Sequence, residues 1–185
     1  MSQKSRIFWY LVIATIPGGI IGFLLDHSLG VTLASMPLLI AIMLIVMGIV
    51  LYLVDKKAPV STEYENMSFI QTFIIGLSQA LAFIPGVSRS GITMTTGRLM
   101  GVSREGVARY SFMLSAPIVL AASLYKAKDF VFNGPFVVGV LTSMIVGILV
   151  IKFLLKFLKK SDFKLFAVYR VALGVIVVVM LFIKG

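Results

Sequence analysis

The sequence predicts an all-α integral membrane protein of about five transmembrane helices plus one re-entrant helix-loop-helix. Three observations lead there. Of 185 residues, 59% are hydrophobic and only 13% charged, whereas soluble domains carry about 25% charged residues. Apolar runs of about 20 residues, the length that crosses a bilayer, recur along the chain. One further apolar stretch is shorter, breaks at a Pro-Gly pair and carries an arginine in the break.

The five runs are Ile7–Leu25, Met36–Val54, Val107–Tyr125, Phe136–Leu155 and Leu165–Ile183. Met1 to Arg6 resembles the start of a signal peptide, but the run behind it is too long for an h-region and no small-x-small site closes it. Pro17 and Pro117 fall inside spans, where neighbouring helices can satisfy the freed carbonyls. Gly18-x-x-x-Gly22 and Gly97-x-x-x-Gly101 place small residues one turn apart, where another helix could approach closely. The expected connections are Asp26–Ser35, Lys126–Pro135 and Lys156–Lys164. All 185 residues read as one membrane domain: residues 1–54 form two spans, 55–68 a polar linker, 69–101 the hairpin and 102–185 three spans.

The hairpin rests on length and on charge. Phe69 to Ile84 spans roughly 24 Å as a helix, short of the roughly 30 Å hydrocarbon core. It carries Gln71, Ser78 and Gln79 and stops at Pro85-Gly86; a second piece runs from near Gly91 to Gly101. If the region enters and leaves on one face, Lys4, Arg6, Lys56, Lys57, Arg98, Arg104, Arg109, Lys152, Lys156, Lys159, Lys160 and Lys164 share a side, against Lys126, Lys128 and Lys184. A full crossing would split the same residues almost evenly, and the positive-inside rule prefers the bias. The absolute direction stays open.

Composition excludes other classes. The net charge of +10 sits at the ends of apolar runs, where it anchors the chain on anionic lipid. No aromatic-rich basic stripe suits base stacking, so no nucleic-acid partner is expected. With no cysteine there is neither a disulfide nor a thiolate metal site.

The chemistry concentrates in Pro85-Gly86-Val87-Ser88-Arg89-Ser90-Gly91-Ile92-Thr93. Pro85 ends the first helix, and Gly86 and Gly91 allow backbone geometry and close approach that other residues forbid. Peptide N–H groups opening the second helix, with its dipole, favour an anion. Arg89 offers a planar fork that grips two phosphate oxygens, and Ser88, Ser90 and Thr93 add hydroxyls at the same mouth. An ionisable group at membrane depth is a functional site by default. The rival reading is a structural arginine tied to loop carbonyls.

Gln79-Ala-Leu-Ala-Phe-Ile-Pro-Gly-Val-Ser-Arg-Ser-Gly-Ile-Thr93, followed by Gly97-Arg-Leu-Met-Gly-Val-Ser-Arg104, resembles the second signature of the bacterial undecaprenyl-diphosphatases, the bacitracin-resistance family; Ile13–Pro17 is similar to that family as well. The resemblance implies multi-pass proteins of the bacterial inner (cytoplasmic) membrane, built from two inverted repeats. They hydrolyse undecaprenyl diphosphate to the monophosphate, recycling the carrier of peptidoglycan synthesis, with a divalent cation, Mg²⁺ or Ca²⁺. It assigns the functional arginine to Arg89, with Ser88, Ser90, Thr93, Gly86 and Gly91 around the phosphate. The partners it implies are a polyprenyl diphosphate and membrane lipids, with a homodimer left open. The family's first signature, Glu-x-x-x-Glu with Pro-x-Ser-Ser-x-Gly-His, is absent here. The expectation is therefore an incomplete first repeat, a chain lacking roughly the leading third, without its metal-binding glutamates and with poor substrate binding and turnover.

Other charged residues read as structural. Asp26-His27, Glu63, Glu65 and the Lys128–Asp129 pair are expected in solvated loops. Glu105 is expected to form a surface ion pair with Arg104 or Arg109, and Arg98 and Arg170 to snorkel to an interface. The alternative function is a lipid-phosphate flippase or anion transporter, since broken helices around a midplane anion site also build transporters.

Overall fold

A computed structural model describes the backbone of residues 3–125, 127 and 132–184, and within these all side chains but those of 3–5, 22, 23, 25–34, 122, 125 and 184. The element order is α1 (Gln3–Ala34), α2 (Pro37–Lys57), α3 (Phe69–Ser78), α4 (Arg89–Leu99), α5 (Arg104–Tyr125), α6 (Gly134–Leu158) and α7 (Lys164–Lys184), with short 3₁₀ turns at Tyr64–Asn66 and Gln79–Phe83. Among the described residues the only β pairing is one bridge between Thr62 and Val102. Each expected span coincides with a helix, Met36 alone standing outside as the N-cap of α2; α2, α6 and α7 are long and apolar enough to cross a membrane.

Asp26–Ser35, expected as a connection, is helical through Ala34, because α1 runs on past its proline with nothing to stop it before the Ser35–Met36 turn. At 32 residues it is about 48 Å long. Only the helical backbone of Asp26-His27 is described, and the Lys128–Asp129 pair lies outside the described residues.

The helices meet where small residues let them. α2 runs along α7, and a Cβ on Gly48 would come 3.1 Å from the carbonyl oxygen of Ala167, one on Gly174 2.8 Å from that of Ala41. α1 crosses α3 where Gly76 meets the backbone of Ala14. Of the two small-residue pairs expected to serve this purpose, Gly18 fits, lying against Gln79, as does Gly97, lying against Val107. Gly101 does not: with φ +79° it ends α4. Val102 N–H donates to Gly97 O and Gly101 N–H to Arg98 O, the glycine-terminated cap of a helix C-terminus. Gly76→Val should therefore lever α1 off α3 and cost about 1–3 kcal/mol, read as a lower melting temperature in detergent.

The buried core gathers at one end of the bundle, from Ile7, Leu11, Met67, Ile75, Tyr110 and Phe163 among others. The linker folds onto that end instead of floating in solvent. Ser61 and Thr62 N–H donate to Gly101 O, and Ser103 N–H to Thr62 O. Glu63 accepts from the Ser103 hydroxyl at 2.6 Å. Glu105 pairs with Lys159 rather than with a neighbouring arginine, and Arg109 pairs with Glu65. Burial raises the Tyr64 phenol above its ordinary pKa, with the Arg109 charge opposing; that guanidinium sits 4.4 Å from the ring centre.

Asp55 organises this end. It is 4% exposed and accepts from Arg98 Nε at 2.9 Å, from Arg104 Nε at 2.8 Å and from Phe163 N–H at 3.0 Å. Arg98, expected to snorkel, is 1% exposed and spends its other donors on the carbonyls of Val102 and Ala58. Burying a cation is tolerable once a carboxylate and carbonyls surround it, so the ion pair overrides snorkelling.

Candidate functional site

The helix-turn-helix of α3 and α4 forms as its sequence demands. Ser68 and Gln71 make a reciprocal capping box at the start of α3, satisfying orphan N–H groups at both positions. Gln71 Nε2 also donates to Met100 O at 3.0 Å, so the polar residue that looked out of place in an apolar helix ties the two hairpin arms at their base. The first arm tightens into the 3₁₀ turn and ends at Ile84. Val87 N–H then donates to Ile84 O, with Pro85 second and Gly86, at φ +91°, third in the turn. This is the residue order of a type II turn. Gly86 presses on α2, where any Cβ would meet the carbonyl oxygen of Ile40.

Ser88 follows at φ +68°, a conformation that costs a non-glycine residue about 1–3 kcal/mol and clusters at functional sites. Its hydroxyl caps α4 by accepting from Gly91 N–H at 3.3 Å and lies 3.4 Å from the Ser90 hydroxyl. Arg89 opens α4. The residue is half-buried, and its guanidinium makes no hydrogen bond or ion pair with another described residue. The rival reading of a carbonyl-tied arginine does not apply to it.

A cleft of about 340 Å³ adjoins this turn, with Ser88, Ser90, Gly91 and Arg170 at its polar part. Its other walls are apolar, including Met94, Phe112, Leu154 and Leu158. Arg89 and Gly86 are not in its lining: one opens α4 beside it, the other backs onto α2. Thr93, expected at the mouth, is 1% exposed. Its hydroxyl bonds back to Arg89 O at 2.9 Å and across to Ser111 at 2.8 Å, so it fastens α4 to α5 and does not reach the cleft. A hydroxyl on an interhelical seam finds a helical partner before it finds a ligand.

Sequence reasoning missed Arg170. It does not snorkel: it is 7% exposed, and Nη2 donates to Gly86 O at 2.7 Å and Val87 O at 2.8 Å. The carbonyl-tied arginine exists after all, on α7. A single charge inside an apolar run was the available signal; its position one turn and a half from the helix start made an interface the easier destination.

The residues that could hold a divalent cation were tested against the same geometry. The described residues include no group of three His, Asp or Glu side chains. Asp55 is engaged by two arginines, and the cleft lining holds no carboxylate or imidazole. These residues do not make a cation site.

Comparison with known proteins agrees with the motif. The family model described as bacitracin resistance protein BacA matches residues 1–176. A protein of Pelotomaculum thermopropionicum named undecaprenyl-diphosphatase is 50% identical over 182 residues, 97% of this chain and 69% of that relative. Relatives of the same name from Desulforudis audaxviator and Moorella thermoacetica are 48% and 44% identical, covering 100% and 99% of this chain and 71% of each relative. A match of that extent, carried on a hairpin whose turn holds Ser88, Arg89 and Ser90, places the chain in the BacA family.

Proposed function

We infer that this chain is an undecaprenyl-diphosphate phosphatase of the bacterial cytoplasmic membrane, acting in the recycling of the lipid carrier and so in bacitracin resistance. The observation that carries the reading is an unpaired guanidinium at the N-terminus of an 11-residue helix, in the turn of a membrane hairpin. Ser88, Arg89 and Ser90 are consecutive at the start of α4; the two serines line the cleft and Arg89 opens the helix beside it. They would neutralise the charge that spreads over a transferring phosphoryl group.

In the reaction, water attacks the terminal phosphorus, the bond to the bridging oxygen breaks, and the lipid monophosphate leaves with the electron pair. Gly86 and Thr93 serve from behind, one letting the loop lie on α2, the other fixing α4 to α5. A divalent cation belongs to this reading through family resemblance. The described residues form no site for it, and no step is derived through it.

Arg89→Ala should reduce phosphate release from undecaprenyl diphosphate in proteoliposomes by about 10²–10³-fold, with the melting temperature unchanged. Undiminished release would overturn the reading. Passage of labelled lipid phosphate across the bilayer without phosphate release would favour transport.

A further inference from the structure

Arg170 carries a charge that nothing described neutralises. It is 7% exposed, and no ion pair among the described residues includes it. Two loop carbonyls occupy Nη2. Nε is buried without a hydrogen-bond partner among the described residues. Nη1 has no hydrogen bond either and lies against Gly91, 2.5 Å from where a Cβ would stand. Contrast Arg98, also buried, whose charge Asp55 cancels and whose Nε is filled. A buried cation with donors to spare is a large desolvation penalty left uncompensated, and in a membrane protein such a group marks the path or seat of a ligand.

The surroundings say what the ligand is. Arg170, Ser88, Ser90 and Gly91 share one cleft, and the rest of its lining is hydrocarbon or aromatic apart from Tyr169. A small anion would leave the apolar walls wet; a plain hydrocarbon would leave the guanidinium bare. We propose that this cleft seats a lipid-borne phosphate ester, its anionic head on Arg170 and the Ser88 and Ser90 hydroxyls, its first isoprenoid units between Met94, Phe112, Leu154 and Phe166. The site rests on the phosphatase reading and adds to it a second arginine, on α7, and an assigned channel for the tail. Its volume of about 340 Å³ lies at the lower end for small-ligand sites, enough for the head and the nearest part of a long chain whose remainder runs into lipid.

The probe is farnesyl diphosphate, with farnesol and inorganic pyrophosphate as the two halves. In detergent-purified full chain, Arg170→Met should weaken farnesyl diphosphate binding at least tenfold in equilibrium dialysis and leave farnesol binding within twofold. Arg170→Lys, retaining charge without the fork, should fall between. Gly91→Ala, whose methyl displaces Nη1, should weaken the diphosphate alone. Pyrophosphate should compete poorly against farnesyl diphosphate, and equal competition would mean a free-phosphate site with no tail channel.

A measurement on the unaltered chain covers variants that fail to fold. A diazirine placed on the first isoprene unit of farnesyl diphosphate should label peptides holding Leu154, Phe166 or Phe112, with excess farnesyl diphosphate suppressing the label. Labels confined to α1 or α3, or unchanged binding in Arg170→Met, would overturn the site. If phosphate release depends on Arg89 while the label maps elsewhere, the phosphatase reading stands and the cleft fails. If the label maps to the cleft and no phosphate is ever released, the seat stands and the hydrolytic reading fails.

Discussion

Asp55→Ala is expected to destabilise the protein by about 3–5 kcal/mol, the cost of removing one member of a buried ion pair. The loss comes less from the carboxylate than from what it leaves behind. Arg98, 1% exposed, would keep its charge with only the Val102 and Ala58 carbonyls to stabilise it. The Phe163 N–H would lose its acceptor, as would the Arg104 guanidinium. Because these groups belong to α2, α4, α5 and the start of α7, a single substitution loosens four elements at one end. Thermal unfolding in detergent should show it, with Asp55→Asn falling between. Removing both partners, as in Asp55→Leu with Arg98→Met, should cost much less than the two single changes added. An additive double variant, or a single alanine within about 0.5 kcal/mol of the parent, would remove the hub from the account of stability.

The second large effect is expected from Gly86→Ala. Two penalties coincide there. The φ of +91° is a left-handed conformation that costs an ordinary residue roughly 1–2 kcal/mol. The new methyl would also run into the carbonyl oxygen of Ile40 and approach the Cβ of Met43 at 2.9 Å. Neither is the loose end of a side chain, so relief requires the loop to leave α2. That shift would move the carbonyls held by Arg170 and turn Ser88 and Arg89 out of register. Phosphate release and farnesyl diphosphate binding should both fall by at least tenfold, with about 2–4 kcal/mol lost in stability. Gly139→Ala is the control. It sits in the interior of α6 with nothing within 4 Å of a Cβ, so the substitution should stabilise by about 0.5–1 kcal/mol. Comparable loss at both positions would show that the loop's contact with α2 is not what matters.

Much of the hairpin was legible before any coordinates. Pro85-Gly86 announced the turn, and the short stretches on either side of it announced two short helices. Whether Arg89 was free or tied to loop carbonyls was open in the sequence, and its lack of a partner among the described residues came from the structure. Three readings went astray for a common reason. Arg98 and Arg170 were sent to an interface, and Asp55 was left in a linker, because a snorkelling cation and a buried paired one look alike until the partner is known. Asp55 and Arg98 are 43 positions apart, and Arg170 and Gly86 are 84. Thr93 failed differently. It faces the right way along the chain, but its hydroxyl finds Ser111 on α5, a neighbour that helix packing supplies.

The sequence by itself determined that the chain lives in lipid, that its spans are helical, and that the Pro85–Thr93 stretch is a turn between short helices carrying an arginine. Those properties depend on composition and on neighbours within a few residues, where length, periodicity and turn chemistry act. Only the tertiary structure decided which charges are buried together. It gave Asp55 to Arg98 and Arg104, brought Arg170 beneath the loop, and walled a cleft with residues of α2, α4, α5, α6 and α7. Electrostatic partners and cavities are properties of distance in space, and in a low-dielectric interior that distance, rather than residue type, sets whether a charge is neutralised or left waiting for a ligand.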